Sequence, residues 1–405
     1  ELGRVVVEDR CVSSACKHFE FSYDTLDRLA TLTYPDGEQV DYDYDAEGRL
    51  DRVTTPGPAP DYVTDLEWTP AGQLESMTYG NGAETTYSYD PEREWLEHAT
   101  VVSGGQQLYD ASYGMDPAGR IDSMTVDRGS GTPSTWSFEY DELNRLTLAG
   151  EVGSPSETYS YDSIGNLLTK GSATYEYAIA GMPHAVSKVG ATRYDYNANG
   201  NRIAKGLCEP SASCASYTQT ASYVYDAENR LTQFTDVPTG VSTSYAYAPG
   251  GQRVRAAVAG GETRLFFGDL VETRDGDDIY YYYAGPIRVA MKDTTGARTW
   301  YHHDHLGSVR LRTGEQGQQV ESADYEPFGE ASSASGEAGE NPWDFAGHRT
   351  DGDSGLVYMN ARYYDAEIGR FLTADPVVAD PKDPQSLNRY AYASNNPISN
   401  VDPTG

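Results

Sequence analysis

Long apolar runs are missing from this 405-residue chain: none approaches the roughly 20 residues a membrane-spanning helix needs. No charged leader with an apolar signal core precedes Gly3 and Arg4, so the expectation is a soluble stretch from the middle or end of a longer protein. Basic residues are scarce: 30 Lys and Arg stand against 62 Asp and Glu, a formal net charge of −32. A protein that binds the phosphate backbone needs clustered cations, so no nucleic-acid partner is expected. The acidity serves solvation, with attraction of a basic partner as the alternative. No Gly-rich stretch follows a strand and opens a helix, which excludes phosphate-loop chemistry, and no Ser/His/Asp arrangement stands out.

Cysteine is nearly absent. Its four copies form two close pairs, Cys11 with Cys16 and Cys208 with Cys214. Two local disulfides in an oxidising compartment are the first reading. Reduced thiols and a shared zinc site are the alternatives, although neither spacing is that of a zinc ribbon or finger. Phe and Trp are also few, at 9 and 5, against 33 Tyr, so the aromatic surface carries a polar tip and suits strands buried on one side and wet at the edge.

What is abundant is a repeat. "YDTLDRL" at 23 recurs as "YDAEGRL" at 44, "WTPAGQL" at 68, "YDPEREWL" at 89, "MDPAGRI" at 115, "YDELNRL" at 140 and "YDSIGNL" at 161. It continues as "YAIAGMP" at 177, "YNANGNRI" at 196, "YDAENRL" at 225 and "YAPGGQRV" at 247. Spacings of roughly 19 to 26 residues indicate stacked supersecondary units. Before each aromatic residue, runs such as "DYDYD" alternate with the period of a strand. The Asp predicts an Asx turn, the Gly or Asn three residues later supplies positive φ, and a second strand starts at the Leu. Arg49, Arg145 and Arg230 at the turn exits are within reach of the Asp or of a neighbouring repeat's carbonyls.

About eleven hairpins make roughly 22 strands, and at ~4.8 Å per strand a sheet ~105 Å wide. Open twisted sheets rarely exceed about ten strands, so this one must wrap, with a closed diameter of ~33 Å that encloses space. Propeller blades would need periods of about 40 to 50 residues.

The repeats resemble the Y-D-x-x-G-R-L signature of the rearrangement-hot-spot (Rhs), or YD-repeat, family. "YHHDHLGSVR" at 301, "DYEPFGE" at 324 and "DFAGHRTDGDSGLVYMNARYYDAEIGRFLTADP" at 344 are similar to that family's C-terminal core domain. The resemblance implies an all-β fold: YD-repeat hairpins in one continuous sheet spiralling into a hollow shell with a C-terminal plug, as in bacterial polymorphic toxins and the C components of insecticidal toxin complexes. It divides the chain into a wall (1–260), the shell's end and connecting strands (261–343), and the core-domain plug (344–405). It further implies a toxic cargo beyond the plug, an upstream shell segment or B-type partner, a secretion apparatus, and a secreted or cell-surface location. No cofactor or metal is implied.

In the family the core domain resembles an aspartic self-protease that cuts just after a D-P-x-G-Leu junction. Carried onto this chain, Asp375 of "TADP" and Asp402 of "VDPTG" are the carboxylate pair and Arg362 of "ARYYD" is the supporting cation. Here "DPVV" stands where the family has D-P-x-G, and the interval to Asp402 is lengthened, so Asp380 and Asp383 compete for the first role. His302, His303, Asp304 and His305 invite a metal, but neighbours on a strand face opposite ways, so at most His303 and His305 converge. The small, polar stretch 329–342 reads as a flexible connecting loop. The rival functional class is a cell-surface adhesion or carbohydrate-binding module without protease activity, its Tyr-rich faces engaging glycans.

Overall fold

The computed structural model describes residues 3–129, 131–209, 214, 216–335, 345–378 and 380–405. Thirty-one strands, from β1 (Val7–Val12) to β31 (Ala331–Ser335), form one sheet in which each strand pairs antiparallel with the next. A second sheet of four short strands follows: β32 (Arg349–Asp351), β33 (Leu356–Met359), β34 (Arg362–Asp365) and β35 (Arg370–Phe371). Three short 3-10 turns are the helical elements among the described residues.

The repeat works as turn chemistry predicts. Asp24 Oδ1 accepts from the Leu26 and Arg28 amides at 2.8 and 3.0 Å, the Asp24 amide donates to the Arg28 carbonyl at 2.9 Å, and Asp27 sits at φ +65°. The ladder slips one residue between Ser22 and Tyr23, the bulge that a three-residue hairpin loop with a left-handed last position creates. The same pattern closes the turns at Asp45, Asp116, Asp141 and Asp226. It also closes hairpins that carry no aromatic-Asp pair, at Tyr34–Glu38, Asp293–Ala297 and Gly314–Gln318. A motif keyed to Tyr-Asp passes over those turns, which is why the sheet has more than the roughly 22 strands the repeat count gives.

Adjacent repeats are zipped by the same residues. The hydroxyls of Tyr44, Tyr89, Tyr161 and Tyr247 donate to the carbonyls of Leu29, Leu74, Leu146 and Leu231, the Leu that ends the preceding unit's motif, at 2.6 to 2.9 Å. Where Trp68 replaces Tyr, its Nε1 donates to Leu50 O at 2.8 Å. The turn-exit Arg pairs with its own Asp and lies over the next unit's ring: Arg28 over Tyr44 at 4.1 Å, Arg145 over Tyr161 at 4.4 Å. Tyr44 and Tyr161 are thus each held at the hydroxyl and on the face.

The ribbon then laps onto itself. In β2 (Ala15–Tyr23), Lys17 pairs with Asp278 of β26 (Asp277–Ala284). Tyr34 donates to the Tyr281 carbonyl at 2.8 Å, and Glu38 takes Lys292 and Arg298. Further along, Trp300 Nε1 reaches the Tyr62 carbonyl at 3.0 Å, Asn81 reaches Thr313 at 2.8 Å, and Arg128 pairs with Asp324. The sequence separation across the lap falls from 261 at Lys17 to 160 at Lys170–Glu330, so each circuit shortens towards the far end. A sheet of constant strand spacing whose circuits shorten is a tapering spiral. Its buried aromatics join both laps: Phe19, Tyr34 and Tyr62 share one cluster with Tyr280, Tyr282 and Trp300.

The narrow end is filled by the second sheet. Buried ion pairs tie it to the wall, Arg202 with Asp365, Arg253 with Asp351 and Glu272 with Arg349, helped by Tyr175 Oη on the Ile368 carbonyl and Tyr390 Oη on the Gly200 carbonyl. Both cysteine pairs are disulfides, Cys11–Cys16 across the β1–β2 hairpin and Cys208–Cys214. The expected loop at 329–342 is in part strand: β31 pairs with β30 (Gln319–Tyr325), because ladder hydrogen bonds to an available edge outweigh the weak strand preference of Ala and Ser. Residues 336–342 of that stretch lie outside the described residues.

Candidate active site

Arg362 opens β34 inside the plug, with its side chain 4% exposed and its guanidinium 3.6 Å from the Phe371 ring centroid. A cation buried this far is tolerated only when its donors are met. Nε donates to the Gly405 carbonyl at 2.8 Å and Nη1 to the Arg389 carbonyl at 2.8 Å. Nη2 lies 3.0 Å from Asp375 Oδ2 and 3.2 Å from Asp402 Oδ2. The two carboxylates therefore meet on one nitrogen, although 27 positions separate them in the chain. Burial pulls the guanidinium below its ordinary pKa, and Asp375 and Asp402 oppose that pull.

Each carboxylate is oriented in the same way. Asp375 Oδ1 accepts from the Val377 amide at 2.7 Å and Asp402 Oδ1 from the Gly405 amide at 2.9 Å, which leaves Oδ2 of each for Arg362. The Asp375 bond is an Asx turn and the Asp402 bond reaches one residue further, so the turn-forming habit of Asp-Pro and the convergence of the carboxylates are one arrangement. Both groups keep access to solvent, at 33% and 23% side-chain exposure. Asp380 and Asp383 are employed elsewhere: Asp380 accepts from the Lys382 amide, and Asp383 caps the 3-10 turn Pro384–Leu387 through the Gln385 amide. The structure brings Asp375, Asp402 and Arg362 together and leaves those two outside.

Three neighbours carry no role that the motifs announce, although His348 and Asn360 lie within the stretch that resembles the core domain. Arg389 takes the Arg362 Nη1–H and the Asp375 amide on its carbonyl and returns its own Nη1 to the Asp375 carbonyl at 3.0 Å. His348 and Asn360 reach the main chain around Asp402. Arg389 and His348 act at the backbone or singly, so no residue pattern in the sequence marks their roles.

The histidine run is structural. His302 is buried between Thr85 and Thr313, at 3.1 and 2.9 Å, and burial pulls its pKa down to about 3. Asp304 heads an Asx turn, and His305 Nε2 donates to the Ile398 carbonyl at 2.8 Å. Among the described residues, no group of three or more His, Cys, Asp or Glu is placed to hold a metal ion. No helix among the described residues is long and apolar enough to cross a membrane.

Residues 83–398 match the family described as Teneurin YD-shell, and residues 23–58 match the RHS Repeat. The tRNA nuclease WapA of Bacillus subtilis (strain 168) is 30% identical over 399 residues, covering 94% of this chain and 16% of the relative. Double-stranded DNA deaminase toxin A of Burkholderia cenocepacia (strain H111) is 25% identical, covering 100% of this chain and 29% of that protein. The crystal structure of TcdB2-TccC3 superposes with a TM-score of 0.68 at 20% identity, over 97% of this chain and 22% of that one. TcdB2-TccC3 without its hypervariable C-terminal region gives 0.69 at 19%, over 97% and 22%. The chain thus spans less than a third of each of these proteins, and at such identities the structural likeness speaks to the fold, a shared β-shell.

Proposed function

The chain belongs to the Teneurin YD-shell family, and from that premise we propose that it is part of the encapsulating shell of a polymorphic toxin, which sequesters a C-terminal toxic cargo and cuts it free just after the Asp402-Pro403-Thr404-Gly405 junction. The shell acts at the cell surface or after secretion, with an upstream shell segment or B-type partner and a secretion apparatus as its associates. Cleavage converts a covalent tether into steric confinement, which ends when the shell opens. Carrying the enzymatic part of this reading is one observation: the Oδ2 atoms of Asp375 and Asp402 share the Nη2 of buried Arg362, beside the Gly405 carbonyl that the same guanidinium holds.

The chemistry is that of a carboxyl pair. One carboxylate takes a proton from an attacking water as its oxygen bonds to the scissile carbonyl carbon. The other, protonated, gives its proton to the carbonyl oxygen. Collapse of the tetrahedral centre breaks the C–N bond as one of its hydroxyls returns a proton to the second carboxylate, and the amine leaves with the proton held by the first carboxyl group. Arg362 fixes both side chains and stabilises whichever is ionised.

The test is a chain extended beyond Gly405 by its natural continuation and run on a denaturing gel. Two bands are expected, and Asp402→Asn or Asp375→Asn slows their appearance by about 10²–10⁴-fold. An extended wild-type chain that stays whole removes the self-cleavage reading.

A further inference from the structure

Four successive carbonyls at the end of the chain each accept one hydrogen bond. That of Asp402 faces His348 Nε2 at 3.0 Å, that of Pro403 faces Asn360 Nδ2 at 3.2 Å, that of Thr404 faces the Ala361 amide at 3.0 Å, and that of Gly405 faces Arg362 Nε at 2.8 Å. Only one of these is a main-chain bond. A strand added to a sheet edge is held by main-chain bonds that any sequence can make. Here three of the four grips come from side chains, so the identity of residues 348, 360 and 362 sets the register.

The donors come from two rigid places. His348 is buried just ahead of β32, with its amide tied to the Phe345 carbonyl at 3.0 Å. Asn360, Ala361 and Arg362 form the tight turn between β33 and β34 and the start of β34, with Asn360 at φ +58°. To donate to a carbonyl, the His348 ring must carry its proton on Nε2. Burial keeps His348 below its ordinary pKa, so the neutral Nε2–H tautomer is the form that holds the strand. The far end of the segment is set by shape. Gly405 sits at φ +75°, and a Cβ there would lie 1.6 Å from the Met359 carbonyl oxygen, so the floor of the groove admits glycine alone.

We infer that the plug carries a peptide-strand cradle, in which His348, Asn360, Ala361 and Arg362 grip the carbonyls of residues 402–405 and fix which peptide bond is presented to the two carboxylates. His348 and Asn360 are positioning residues, since they touch the strand and neither carboxylate. The catalytic half of this inference rests on the self-cleavage reading; the docking half does not.

The two halves are measured separately. In the 405-residue chain, hydrogen exchange at the Ala361 amide reports docking of the strand, with the Tyr62 amide in the wall, bonded to Val53 O, as internal reference. His348→Leu removes one donor. Asn360→Gly removes another at an exposed position that keeps its positive φ. Each is expected to speed Ala361 exchange about tenfold while Tyr62 is unchanged, and His348→Gln, which keeps an N–H at similar reach, restores most of the protection. In the extended chain the same two donor-free variants slow cutting about tenfold and give fragments with more than one terminus by intact mass, where a merely destabilised plug would give one. Unchanged Ala361 exchange in both donor-free variants overturns the cradle. Loosened Ala361 in a chain whose wild type is never cut upholds the cradle and sinks self-cleavage. A wild type that is cut, with both variants cut at the same bond and rate, overturns the register-setting role.

Discussion

Tyr44, Tyr89, Tyr161 and Tyr247 show what tyrosine does in the repeat that phenylalanine could not: each ring packs in the wall, and its hydroxyl satisfies a carbonyl of the repeat before it. A phenylalanine would fill the same volume and leave that carbonyl without its donor. At the same scale, His302 makes the wall sensitive to acid. Its pKa falls from 6.5 to about 3 through burial, so the unfolded chain binds the proton more readily than the folded one. Stability from this residue is complete above about pH 6.5 and is lost as pH falls towards 3, on the order of a few kcal/mol. Glu272 acts in the same direction further down. Burial would raise it, but Arg349 and Arg274 outweigh that and hold it near 2, so its share is lost from 4.5 downwards. Denaturant unfolding between pH 6.5 and 4.5 is therefore expected to show a shallower loss of stability in His302→Gln than in wild type, and equal slopes would contradict the buried neutral imidazole.

At the scale of elements, the hairpin turn was the most legible feature because its chemistry is confined to five residues. Asp141 shows what the motif specifies: Oδ1 takes the Leu143 and Arg145 amides, Oδ2 takes the Arg145 side chain, and Asn144 supplies φ +63°. Asp141→Ala is expected to cost about 1–2 kcal/mol of unfolding free energy in a denaturant titration, while Asn144→Gly stays within about 0.5 kcal/mol because its backbone angle is already the one glycine prefers. A neutral Asp141→Ala would mean the turn closes on backbone bonds alone. Turns such as Tyr34–Glu38 escaped notice because they reach the same geometry from other side chains. Strand β31 escaped because Ala and Ser carry little strand signal of their own, and its partner β30 decides the outcome.

At the scale of the whole molecule, the sheet's width forces a lap, and that much follows from strand spacing. Which strand meets which does not, since Lys17 and Asp278 share no pattern that links them over 261 positions. The site divides the same way. Asp375, Asp402 and Arg362 could be named from family motifs, whereas His348, Asn360 and Arg389 become visible only when the chain's end is laid in the plug.

Lysine-to-carboxylate contacts offer the most direct test of the rolled, plugged wall, because a zero-length carbodiimide cross-linker joins only groups already touching. Applied to the 405-residue chain and read by peptide mass spectrometry, it should join Lys17 to Asp278, Lys292 to Asp36 or Glu38, Lys170 to Glu330 and, between wall and plug, Lys205 to Glu367, alongside the local Lys188–Glu176 link. Recovery of the local link without the four distant ones would mean an open ribbon or separate blades, and would contradict the account.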